Sequence, residues 1–360
     1  MAQHRCWALP ADMHLHRLSS SAQASQTGFA LAAVLWLLAG LSIVVALIAD
    51  AAHTSAERVA QLRERTEFVR SALSAQAHAE YWLSATRPRA ADFTDGAASV
   101  MVDDRFYKIG EDSIIALQDV GGLMDLNTAD PTRLAQFLVV CGIAPEQTSR
   151  LVDTLADYID TDNLQRINGA EADSYQLAGL PPPRNRPLLA PGEVWDVMGW
   201  PAYRTTLEKS GCVRAMTTEG EAGIFGSSGA NLATAPSPVL RAAGLPEETV
   251  QDIDNARGNP ALVAERIAEA NALTGANGGF VGMGGSQSQK TLRVTQRSLK
   301  GPWQITYTLV LDPEDNDRPW TIKQFHLQGV SAPKDRIQTL PWPSEAPATS
   351  PGNAAPNLPF

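Results

Sequence analysis

Between residues 157 and 173 the chain gathers side chains whose oxygens suit hard cations: Asp157, Asp160, Asp162, Asn163, Glu171 and Asp173. Asp-x-Asp/Asn spacing presents such groups from a loop, and Gly169 permits a sharp turn within it. Calcium takes six to eight oxygens at flexible sites of this kind. The stretch is not an EF-hand, because no Asp-x-Asp-x-Asp-Gly run is closed by a glutamate at the required spacing. The residues alone leave two readings open. One is a divalent-cation loop with Asp160, Asp162 and Glu171 as first ligands; the other is a solvated acidic loop capping a helix. A second acidic run, Asp312 to Asp317, joins two strand-like segments and reads as a turn.

Other chemistry finds little footing. The chain has no Gly-x-Ser-x-Gly elbow, His-Glu-x-x-His, phosphate-binding loop or Cys-x-x-Cys. His4, His14, His16 and His53 lie before or beside an apolar run, and neither His78 nor His326 has an acid or nucleophile at a catalytic spacing. No enzyme is expected. Trp195, Trp200, Trp303, Trp320 and Trp342 read as core, with an interface as the alternative use.

The composition sets the frame for these residues. A chain of 360 residues with 44% hydrophobic and 19% charged side chains builds real cores, which excludes wholesale disorder. A mean hydropathy of −0.15 excludes a polytopic membrane protein. The net charge of −10 argues against a broad grip on nucleic acid. Cys6, Cys141 and Cys212 are too few for a disulfide scaffold or a zinc cluster.

From Phe29 to Ala49 the chain carries no charge. At about 1.5 Å per residue this makes roughly 30 Å of helix, the thickness of a bilayer core. Arg5 and Arg17 precede it with Asp12 the single acid, so the flank is expected to stay cytoplasmic and the rest to be periplasmic. The run is long for a signal peptide and no small-x-small cleavage site follows it. Gln26 to Ala33 instead resembles a prepilin peptidase site, with Gly28 before the cut, Phe29 after it, and the apolar helix kept. Pilins and major pseudopilins usually carry glutamate at the fifth mature position; here it is Ala33, which suits a subunit with no neighbour above it. Once Cys6 has left with the leader, Cys141 and Cys212 remain as a candidate pair in an oxidising compartment.

The segment from Asp50 to about Ser84 has no Gly or Pro and continues the helix, which Thr86-Arg87-Pro88 ends. Val59, Leu62, Val69, Leu73 and Tyr81 form a stripe expected to lie on a sheet, with a coiled-coil stalk as the alternative. Ser99 to Val102 and Ser113 to Leu117 read as strands, and Thr291 to Arg297, Trp303 to Leu311 and Trp320 to Gln328 as an antiparallel meander. Between them runs a weak repeat. Leu126-Asn-Thr-Ala-Asp-Pro131 returns as Leu232-Ala-Thr-Ala-Pro-Ser-Pro238, followed in each copy by a leucine, Gly142 or Gly244, and a Pro-Glu helix start. Such helix-hairpin-helix units often bind DNA, but neither turn here is basic, so no nucleic acid is expected.

The predicted organisation is α+β: a leader over 1–28, a transmembrane and stem helix over 29–88, and an antiparallel sheet domain split between 89–120 and 290–330. A helical insert fills 121–289, its Gly275–Ser288 stretch a flexible return, and a disordered Pro-rich tail covers 331–360.

In this order the features resemble the K-type minor pseudopilins of type II secretion systems. The shared features are the leader and anchor, the missing glutamate, the helical insertion, and the run from Leu126-Asn-Thr-Ala-Asp-Pro131 through Asp160-x-Asp162 to Asn168-Gly-Ala-Glu171. The resemblance implies a non-enzymatic tip subunit of a periplasmic pseudopilus. Such a subunit is held in the inner membrane by one span, cut by prepilin peptidase at Gly28–Phe29 and N-methylated on Phe29. It implies I-type and J-type minor pseudopilins as partners, with the H-type as a further one, and a role in starting assembly for export of folded proteins. It also implies calcium in the helical domain, with Asp160, Asp162, Asn163, Glu171 and Asp173 as ligands. The alternatives are a minor pilin of a type IV pilus, a single-pass periplasmic adaptor, and a helix-hairpin-helix DNA-uptake receptor.

Overall fold

The computed structural model describes residues 27–219, 231–274, 291–312, 319–330 and 337–343. The leader up to residue 26, the Gly-rich return and most of the 312–317 turn therefore lie outside the described residues. The chain divides into two compact units, Met1–Arg63 and Glu64–Phe360.

Within the first unit the described residues belong to helix α1 (Thr27–Ala85), whose start is long and apolar enough to cross a membrane. Phe29, Trp36, Leu41 and Leu47 are exposed along it, as a lipid-facing surface requires, and Val59 and Leu62 are exposed further on.

In the second unit the rest of α1 packs on a sheet through Phe68, Ala72, Ala75, Ala79, Trp82 and Leu83. This corrects the expected sheet-facing stripe: Leu73 and Tyr81 are 52% and 49% exposed on the reverse side. Alanine is a weak hydrophobic signal in a sequence, yet its small side chain lets the helix backbone approach the sheet closely. The helix ends at Ala85, and β1 (Arg87–Pro88), β2 (Asp92–Thr94) and β3 (Ser99–Met101) form a small antiparallel sheet beyond it.

The main sheet has six strands. They are β4 (Asp103–Ile109), β5 (Ser113–Asp119), β8 (Thr291–Ser298), β9 (Trp303–Leu311), β10 (Trp320–Gly329) and β11 (Thr339–Pro341), in the order β10-β9-β8-β5-β4-β11. Strands from both sides of the insert thus share one ladder, with Ser113 opposite Ser298 and Asp119 opposite Leu292. β4 carries no obvious strand signal because it opens on Asp103, Asp104 and Arg105, where the register shifts and Asp104 has φ 68°.

β11 corrects the reading of a disordered tail from residue 331. It pairs in parallel with β4, and Trp342 sits edge-on to Trp82 and Tyr107, at 5.7 and 5.9 Å between ring centres. Pro341 is compatible with the pairing because an edge strand needs donors on one side only. One buried aromatic outweighs the local proline density. Residues 344–360 lie outside the described residues.

The insert has its own core and begins with β6 (Met124–Asp125), α2 (Pro131–Val140), α3 (Pro145–Ile159), α4 (Ala172–Leu177) and α5 (Arg204–Lys209). β7 (Met216–Thr217), α6 (Ser237–Ala242), α7 (Glu247–Ala256) and α8 (Pro260–Thr274) follow. Its extended pairing among the described residues is the short parallel contact of β6 with β7. The repeat appears as two helical hairpins, α2–α3 and α6–α7, turning at Gly142 (φ 91°) and Gly244 (φ 80°). Asp130 caps α2 by accepting from the Thr132 and Arg133 amides. Cys141, at the first turn, is disulfide-bonded to Cys212 with 6.0 Å between Cα atoms.

Sheet and insert are joined at Asp119, the last residue of β5. Its carboxylate accepts from Asn231 Nδ2 (2.7 Å), Thr234 Oγ1 (2.9 Å) and the Gly121 amide (3.0 Å). Gln118 Nε2 donates to the Thr234 carbonyl beside it. Gly122 is required here by close approach, since a Cβ would stand 2.5 Å from Thr234 Oγ1 and 2.9 Å from the Ala235 amide. Burial pushes the Asp119 pKa up to about 6, against the pull of its three donors.

Candidate metal centre

Helix α3 carries a stripe of buried residues, and its last turn delivers Asp157 into the protein, fully buried. The chain then loops over this carboxylate. Arg166 Nη1 donates to Asp157 Oδ1 and to Asp160 Oδ2, both at 2.6 Å. Gly169 passes so close that a Cβ would stand 1.9 Å from Asp157 Oδ2. The glycine read as a turn residue is therefore fixed by contact with Asp157.

Beyond this ion pair, Asp160, Asp162 and Glu171 each bring a carboxylate oxygen within 4.8 Å of the others. Glu171 is 5% exposed, and both its oxygens are buried without a hydrogen-bond partner, as is Asp160 Oδ1. Burial pushes the Glu171 pKa up, and the charges of Asp157, Asp160 and Asp162 add to that rise. Unpaired buried carboxylates cost several kcal/mol, so such a group calls for a positive partner beyond Arg166. The donor set is all oxygen, which fits a hard cation such as calcium better than zinc. Asp160, Asp162 and Glu171 would hold it.

Asn185 was not anticipated. Its left-handed backbone (φ 50°) brings its side chain beside the acids, where Nδ2 donates to the Asp162 carbonyl and to Asn163 Oδ1. Its own Oδ1 is buried without a partner and offers a further neutral oxygen. A lone asparagine beyond Pro181-Pro182-Pro183 gives no sequence signal for this. Asn163 is exposed and joins the group through Asn185, whereas Asp173 is exposed in the first turn of α4, outside the group of three.

The remaining site residues lie apart. Gly28 and Phe29 fall in the first turn of α1, with Phe29 exposed.

Comparison with known proteins adds the following. Residues 115–213 match the family model for type II secretion system (T2SS) protein K. Among curated proteins none matches. Among solved structures the chain is similar to a chain of the GspK–GspI–GspJ complex from enterotoxigenic Escherichia coli. That likeness has 15% identity and a TM-score of 0.49, over 75% of this chain and 99% of that one.

Proposed function

We propose that this chain, whose residues 115–213 match the family model for type II secretion system protein K, acts as a non-enzymatic minor pseudopilin at the pseudopilus tip. There it helps to start assembly for export of folded proteins across the outer membrane. The match to protein K is the observation that carries this reading, and it falls on the insert and the strand β5 leading into it.

The rest of the molecule supports the role. One apolar helix provides a single inner-membrane span, with the N-terminus cytoplasmic and the second unit periplasmic. Prepilin peptidase cuts between Gly28 and Phe29, and Phe29 becomes the methylated N-terminus. Leu73 and Tyr81 leave an apolar stripe on the side of α1 away from the sheet, suited to the stem helices of I-type and J-type minor pseudopilins, with the H-type as a further neighbour. Ala33 in place of glutamate is compatible with a subunit that has nothing above it. Calcium bound by Asp160, Asp162 and Glu171 would stiffen the loop between α3 and α4.

The test is intact-mass and N-terminal analysis of the protein from cells with and without prepilin peptidase, together with co-purification of I-type and J-type subunits. A chain starting at Phe29 only when the peptidase is present, and retaining both partners, supports the proposal. A chain that keeps residues 1–28, or that carries neither partner, overturns it.

A further inference from the structure

A cavity of about 290 Å³ lies where the insert meets the main sheet, away from the acidic loop. Its floor comes from three neighbouring strands. Arg293 on β8 stands opposite Thr308 on β9, and Thr306 stands opposite His326 on β10, so these four side chains share one region of the sheet. Pro191 and Met216 from the insert, with Val120 just after β5, supply apolar wall.

Arg293 is the unusual member. Its side chain is 19% exposed, and its nearest carboxylate, Asp104 Oδ2, is 3.9 Å away. That same oxygen is already taken by Arg214 at 2.5 Å. The Met216 carbonyl accepts from Arg293 at 3.5 Å, the limit of a useful bond. Burial pushes the Arg293 pKa down against the pull of the Asp104 charge, and the charge of Arg214 adds to the fall. A guanidinium in a desolvated, apolar-walled cavity binds carboxylates strongly, through two parallel N–H donors. The hydroxyls of Thr306 and Thr308 and the imidazole of His326 add donors beside it.

We propose that this cavity is a binding site for a carboxylate attached to an apolar body, seated on Arg293 with Thr306, Thr308 and His326 around it. The walls argue against a bare inorganic anion, which would gain nothing from Val120, Pro191 and Met216. Two sources offer that chemistry: an acidic side chain of a bound protein, and the C-terminal residue of a polypeptide.

The experiment titrates the full-length protein in detergent with N-acetyl-L-phenylalanine and with N-acetyl-L-glutamic acid α-amide, read by calorimetry and by the Arg293 Nε resonance. The neutral amides of both compounds serve as controls. Binding in the millimolar range, at least about tenfold tighter than the matching amide, is the expected result. Preference for the phenylalanine compound identifies a chain terminus as the source, and preference for the glutamate compound identifies a side chain. R293Q is expected to lose the acid-over-amide preference, and T308V to weaken binding by about threefold. Should R293Q fail to fold, the wild-type resonance decides alone: it must move with each carboxylate that binds. No binding by either acid, equal binding by acid and amide, or a folded R293Q with unchanged affinity would overturn the proposal.

Discussion

Two buried carboxylates in this molecule share a setting and differ in company. Asp119 ends strand β5 beneath a close-packed glycine, Gly122, and every donor around it is engaged: Asn231, Thr234 and the Gly121 amide. The acidic loop has its own close-packed glycine, Gly169, and there Asp157 is likewise held, by Arg166. Glu171 next to them has no donor at all. A carboxylate whose hydrogen bonds are complete fastens two parts of a fold together. One left bare at the same depth calls for a positive partner.

The widest separation between the two sites is expected from removing the acids. D119A leaves three donors stranded and should destabilise the protein by about 3–5 kcal/mol in denaturant titrations, with or without calcium. E171Q removes an unpaired charge and is expected to be neutral or mildly stabilising without metal. A destabilisation like that of D119A would dissolve the contrast.

Calcium gives the next effect. At a hundred times its dissociation constant it should stabilise the wild type by about 2.7 kcal/mol, seen as a raised Tm that chelation reverses. E171Q should lose this gain and D119A should keep it. Equal responses in wild type and E171Q would show that Glu171 holds no metal.

The glycines test packing at each site. G122A pushes a methyl against Thr234 and the Ala235 backbone, whereas G169A pushes one against the buried Asp157 carboxylate that Arg166 holds. Both are expected to cost about 1–3 kcal/mol. Only G169A should also lower calcium affinity.

The finest effect is pH dependence. The folded Asp119 pKa of about 6 exceeds its ordinary 3.8, so between these values the native state holds more protons than the unfolded one. Its contribution therefore weakens stability as pH rises from 4 to 6 and is constant above that, by at most about 1.4 kcal/mol per pH unit. D119N should flatten this component of a stability–pH curve, and an unchanged curve would mean that Asp119 is not desolvated as described.

Much of this was legible in the sequence, and the parts that were not share a cause. The meander strands β8 to β10, the apolar start of α1 and the two Gly-turn hairpins each carry a local pattern, by alternation, by uninterrupted apolarity or by a glycine before Pro-Glu. Asp160, Asp162 and Glu171 likewise lie close along the chain. What escaped depends on contacts distant in sequence. Asn185 reaches the acids from beyond three prolines, and Trp342 pulls a proline-rich segment into the core against Trp82 and Tyr107. The stem face was misread because Val69, Leu73 and Tyr81 outshine alanines in any hydrophobicity count. The sheet selects by closeness of approach, and it takes Ala72, Ala75 and Ala79.

The register of Asp119 opposite Leu292 makes β5 and β8 adjacent antiparallel strands, a hairpin whose loop is the entire insert. The entropy of closing a loop grows only with the logarithm of its length, about 0.6 kcal/mol per doubling, so so long an excursion burdens the sheet little. The insert leaves and rejoins the ladder at one point. It can therefore be lengthened away from Asn231 and Thr234 while the strands on either side keep their pairing, much as a tool is extended on a fixed handle.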